Sequence, residues 1–139
     1  MQNEPITIHT DGGSRGNPGP AACAFVAEEN GFEIFKSSKY LGNTTNNVAE
    51  YSGVILALEW LVKHQSTTNN SSVTFLLDSE LVVKQINALY KVKDENLRNL
   101  FFEVLTLMKK FKGNISFKHI PREKNKIADL LVNQELDRN

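Results

Sequence analysis

Apolar positions along the chain change period several times, and each change marks an expected element. Ile6 to Thr10, Ala21 to Glu28 and Phe32 to Tyr40 read as strands, the last two joined by the turn pair Asn30-Gly31. Strands so closely spaced predict an antiparallel meander. Val48 to Lys63 places Val54, Ile55, Leu58, Leu61 and Val62 at helical spacing, and Asn47 with Glu50 three residues on reads as its capping signal. The polar stretch Thr67 to Ser72 predicts a loop, and Val73 to Leu77 is an apolar run of strand length that ends at Asp78. Ser79 to Leu89 reads as a short helix and Glu95 to Lys112 as a longer one, stopped by Gly113-Asn114. Ile115 to Ile120 is a last strand, ended by Pro121, and Ile127 to Leu136 is a closing helix. The order βββαβααβα predicts an α/β fold with a five-stranded mixed sheet, three antiparallel strands followed by two parallel ones, flanked by helices.

At 139 residues a single domain spanning 1–139 is expected, with no repeat or linker to divide it. Met1 to Pro5 has no basic head and no apolar run after it, and nothing later approaches a membrane span, so a cytoplasmic protein with no membrane attachment is expected. The single Cys23, within Ala21 to Val26, reads as a small core residue. Charge changes the picture more. The net charge is zero, yet residues 1–83 carry 4 Lys/Arg against 9 Asp/Glu, while residues 84–126 carry 11 against 4. A basic segment beside clustered acids suits a phosphate backbone, the lysines drawing in the polyanion; a solvated helix face is the plainer alternative.

Four acids stand out by their settings. Asp11 lies in Thr10-Asp11-Gly12-Gly13, Glu50 in Thr45-Asn46-Asn47-Val48-Ala49-Glu50, Asp78 in Leu77-Asp78-Ser79, and Asp129 in Ile127-Ala128-Asp129. Singly, each has a structural explanation: a turn residue at Asp11, a capping partner at Glu50, a helix cap at Asp78, a solvated acid at Asp129. Jointly they converge, because Asp11 and Asp78 end apolar runs expected to be neighbouring strands and Glu50 opens the long helix. Carboxylates gathered in that way repel one another unless protons or divalent cations intervene. With oxygen donors only, and His9, His64 and His119 scattered singly, Mg²⁺ or Mn²⁺ is favoured over Zn²⁺. Two such ions, about 4 Å apart, can activate a water and stabilise the leaving oxygen of a phosphodiester. The segment Gly12 to Gly19 lacks both Gly-Lys-Ser/Thr and the alternating acids of a calcium loop, which leaves a tight turn whose bare backbone can approach a sugar or phosphate.

Together, Thr10-Asp11-Gly12-Gly13 with Gly16-Asn17-Pro18-Gly19, Thr45-Asn46-Asn47 with Glu50, Asp78-Ser79 and Ala128-Asp129 resemble type 1 ribonuclease H, from about Ile6 to Val132. The resemblance implies endonucleolytic cleavage of RNA paired with DNA by two Mg²⁺ ions, Mn²⁺ being a possible substitute. It assigns Asp11 to both metals, Asp129 to the ion that activates water, and Glu50 with Asp78 to the ion at the leaving group. It further implies that backbone at Gly12, Gly13, Ser14 and Arg15, with Asn46 and Glu50, meets RNA 2′-hydroxyls, while Asn17, Thr45 and Asn47 face the DNA strand.

Departures from the family pattern are also visible. Glu80 stands where many relatives have Gln, so that 2′-hydroxyl contact would come from a carboxylate. His119 to Asn125 lacks a clear counterpart of the loop histidine of well-studied bacterial members, and Arg122 is the candidate in its place, as a cation near phosphate. Neither a basic handle nor an N-terminal hybrid-binding domain fits in the sequence, so Lys84, Lys91, Lys93 and Arg98 would supply backbone grip, and a monomer is expected. A hybrid-binding module that no longer cuts, or a DNA-directed nuclease of the same fold, is the alternative.

Overall fold

In the computed structural model, which describes residues 4–65 and 71–139, a five-stranded sheet carries helices on both faces. Strands β1 (Ile6–Ser14), β2 (Gly19–Glu29) and β3 (Phe32–Thr44) form the antiparallel meander, and β4 (Ser72–Leu77) and β5 (Asn114–His119) extend it in parallel. The spatial order is β3-β2-β1-β4-β5, which makes β1 and β4 neighbours as the sequence pattern predicts. Helices α1 (Asn46–Lys63), α2 (Glu80–Ile86), α3 (Glu95–Lys110) and α4 (Lys126–Asp137) supply the flanks, with a short 3₁₀ turn at Arg122–Lys124. Of the expected loop Thr67 to Ser72, residues 67–70 lie outside the described residues, and Ser72 opens β4.

Helix α1 packs on β1 and β2, with α3 against it. Its Tyr51, Val54, Leu58 and Leu61 are fully buried with Ile6, Ile8, Phe25, Phe75 and Leu77 of the sheet. Each large side chain enclosed there contributes about 1.5–3 kcal/mol relative to exposure. On the opposite face α4 crosses β2, where Ala22 and Ala24 meet Val132 and Leu136. Cys23 is fully buried as expected, and burial pushes its thiol up to about 12.

Three findings differ from the readings above and bear on the site. First, β1 does not stop at Thr10. Its parallel pairing with β4 ends at Thr10 opposite Leu77, but Asp11 to Ser14 go on pairing with Ala24 to Ala21 of β2. Asp11 therefore stands on a strand held from one side only, and Gly12-Gly13 lie within the strand, the chain turning at residues 15–18. Second, α1 begins two residues early: Thr45 is its cap, its hydroxyl accepting from the Val48 N–H at 3.3 Å. Third, Ser79 and not Asp78 caps α2, accepting from the Val82 N–H at 3.3 Å. Glu50 and Asp78 are thereby released from capping duty.

Candidate active site

Asp11, Glu50 and Asp78 each offer a carboxylate oxygen, and these oxygens lie within 4.8 Å of one another. The backbone explains how a strand and a helix bring acids so close. A Cβ at Gly12 would fall 2.1 Å from the Ala49 carbonyl oxygen and 2.5 Å from the Glu50 nitrogen, and one at Gly53 would fall 2.8 Å from the Asp11 carbonyl oxygen. The two glycines let α1 rest backbone on backbone against β1. The Gly12 N–H then donates to Glu50 Oε1 at 3.1 Å, fixing that carboxylate beside Asp11.

Burial sets the electrostatics. Asp11 and Glu50 are only 6% and 7% exposed. Burial, reinforced by the charges of Asp78 and Asp129, raises the Asp11 carboxyl from its ordinary 3.8 to about 7. Glu50 is pushed well above its usual range, first by burial and then by the Asp11 charge beside it. Its Oε2 is buried with no hydrogen-bond partner. A buried carboxylate oxygen facing two further acids is satisfied either by a proton shared with Asp11 or by a divalent cation that displaces it. Asp11, Glu50 and Asp78 are the residues that could hold such an ion.

A cleft of about 450 Å³ opens over the three acids. Asp129, in the first turn of α4, and Arg122 also line it, both exposed, so the structure brings Asp129 to the cleft and not into the tight trio. Among the described residues Arg122 has no ion pair, which leaves its guanidinium free to face the cleft's contents. Gly12, Gly13, Ser14, Arg15, Asn46 and Asn47 line the cleft as well. There Asn46 Oδ1 accepts from the Ser14 N–H at 2.8 Å and from its hydroxyl at 3.0 Å, while the Asn46 N–H donates to Asn17 Oδ1 at 3.1 Å. Arg15 is tied down, its guanidinium reaching Asp137 at 2.7 Å. Thr45 and Asn17 line an adjoining hollow of about 290 Å³ with Asn47 and Asp94. Glu80 lines neither cavity and instead pairs with Lys84 at 2.6 Å, which holds its carboxyl below the usual range.

The family model described as reverse transcriptase-like matches residues 9–135. LC11-RNase H1, solved in complex with an RNA/DNA hybrid, is 44% identical and superimposes with a TM-score of 0.91, over 96% of this chain and 97% of that one. This chain belongs to the type 1 ribonuclease H family. Ribonuclease HI of Halobacterium salinarum is 36% identical over 133 residues, 95% of this chain and 64% of the relative. Bifunctional protein Rv2228c of Mycobacterium tuberculosis is 38% identical over 134 residues, and the chain spans 35% of that protein's length. Among the described residues no helix is long and apolar enough to cross a membrane.

The sequence reading missed two members of this ribonuclease H site. Asn133 lines the cleft and accepts from Arg15, and Asn125 is buried behind it with its amide on Asp78. Spacing held a signal for both, since they stand four residues after and four before Asp129, on the same side of one helix.

Proposed function

We propose that the chain is a metal-dependent endoribonuclease that cleaves the RNA strand of RNA:DNA hybrids, leaving 5′-phosphate and 3′-hydroxyl ends. The observation that carries this reading is the close carboxylate trio, with Asp11 and Glu50 buried and Asp78 half-buried, at the floor of a cleft lined by polar side chains. A relative 44% identical was solved with the hybrid, which supports the same substrate here. Asp11 would serve two Mg²⁺ ions, Glu50 and Asp78 the one at the leaving group, and Asp129 the one on the water side. When bound, the pair supplies an activated water and neutralises charge on the departing oxygen.

This chain's own groups position the strand. Ser14 and Asn46 form a connected polar edge beside the acids, suited to 2′-hydroxyls that act as both donor and acceptor, while Asn17, which accepts from the Asn46 N–H, sits toward the DNA strand. Thr45 and Asn47 line the adjoining hollow, facing the DNA strand. Arg122, unpaired on the rim of the cleft, meets a phosphate as a fixed cation and carries no proton. Contacts of this kind read sugar and backbone, so cleavage shows little base preference.

The test is incubation of matched RNA:DNA hybrid, RNA duplex and DNA duplex with Mg²⁺, with Mn²⁺ or with chelator. Cleavage of the hybrid's RNA strand alone, abolished by chelator, is the expected result. Cutting of the DNA duplex, or undiminished cutting in chelator, would refute it.

A further inference from the structure

Asn125 joins more of the site than any acid does. It is 1% exposed, at the N-terminal edge of α4. Its Nδ2 donates to the Thr10 carbonyl at 2.9 Å and to Asp78 Oδ2 at 3.3 Å. Both partners are acceptors, so the orientation of the amide is determined: the nitrogen must face them. Its own carbonyl accepts the Asp129 N–H at 3.1 Å, and its N–H donates to the Arg122 carbonyl at 2.9 Å.

Topology explains why a side chain is needed there. Pairing between β1 and β4 stops at Thr10 opposite Leu77, and beyond that point the two strands separate. The Thr10 carbonyl is left at the split with no strand partner on that side, in a residue with no exposure at all. A buried carbonyl without a donor costs about 1–3 kcal/mol. The Asn125 amide fills this gap and spends its second hydrogen on Asp78, whose carboxylate would otherwise turn freely at the end of β4. A simple backbone plug would need one donor, not two.

We infer that Asn125 is a positioning residue that orients the Asp78 carboxylate and fixes the Arg122 and Asp129 rim to β1, so that metal affinity depends on it. This rests on the metal-dependent reading above. It acts through Asp78 and touches neither ion nor hybrid. Its Oδ1 is buried with no hydrogen-bond partner, so the side chain's contacts in the site are made through its donors. Outer partners of ligating carboxylates typically matter by about 10–100-fold in metal affinity or activity.

The experiment compares wild type, Asn125→Ala and Asn125→Asp. Mg²⁺ binding is measured by calorimetry without nucleic acid, kcat and KM on hybrid at saturating Mg²⁺, and melting with and without Mg²⁺. Both variants are expected to bind Mg²⁺ about 10-fold or more weakly, to lose kcat by a similar factor and to keep KM within about twofold. Asn125→Asp keeps the side chain's size but cannot donate when ionised, so it carries the test if the alanine variant fails to fold. A variant that melts earlier yet retains wild-type Mg²⁺ affinity and kcat would show a structural peg and overturn the inference alone. A wild-type protein that takes up no Mg²⁺ would overturn the parent reading and this one with it.

Discussion

Asp11 and Glu50 stand on a strand and a helix locked backbone against backbone, whereas Asp129 and Arg122 stand on an exposed rim built from a 3₁₀ turn and the start of α4. The inner acids are nearly dry, and burial raises their carboxyls above the ordinary range. The rim residues are exposed to solvent, with their backbone tied to β1 through Asn125. The difference assigns two kinds of work. A preformed floor holds charge in place at the expense of self-repulsion, and a solvent-exposed rim offers its side chains to the phosphate backbone.

The largest effect should come from removing floor charge. Asp11→Asn is expected to lower hybrid cleavage by about 10³-fold or more, equivalent to several kcal/mol of transition-state stabilisation, while hybrid affinity in a gel-shift assay stays within a few-fold. Full activity would make floor and rim equivalent. Next comes the packing beneath the floor. Gly12→Ala places a methyl group against the Ala49 carbonyl, where backbone and not a flexible side chain must yield. Urea unfolding should show a loss of about 3 kcal/mol, with cleavage falling in parallel.

Protonation sharpens the contrast further. The Asp11 carboxyl is raised in the folded protein from 3.8 to about 7, so the folded state holds a proton that the unfolded state has released across that window. Its contribution is fully present below 3.8 and is lost as pH rises through about 7. Metal-free protein should therefore lose stability between pH 5 and pH 8, by an amount on the order of 3 kcal/mol, and Asp11→Asn should flatten that slope. The smallest effect belongs to the rim. Arg122→Ala should cost about 10-fold in kcat/KM, with no change in Mg²⁺ affinity, because only a phosphate contact is removed.

Much of this architecture was legible in the residues, and the gaps have physical causes. The five strands and their mixed pairing followed from alternating and continuous apolar runs, which report burial directly. The end of β1 did not, because Asp-Gly-Gly favours a turn locally and only pairing with β2 keeps it extended. Gly12 seemed an opening for substrate; its stronger demand comes from α1, a neighbour distant in sequence. The caps were misread for a related reason: Thr45 and Ser79 outcompete the adjacent signals once Glu50 and Asp78 turn inward. Sequence spacing identified four acids as a set. That three form the floor while Asp129 stays on the rim is set by side-chain burial, which spacing alone does not determine.

Uptake of Mg²⁺ at pH 6, followed by calorimetry in two buffers of different ionisation enthalpy, tests the metal-holding floor most directly. With Asp11 titrating at about 7 and Glu50 also raised, binding should displace at least one proton from the trio, and the apparent enthalpy should differ between buffers accordingly. The Asp11→Asn variant should show neither the proton nor tight binding. Wild-type protein that releases no proton and binds no Mg²⁺ would contradict the account.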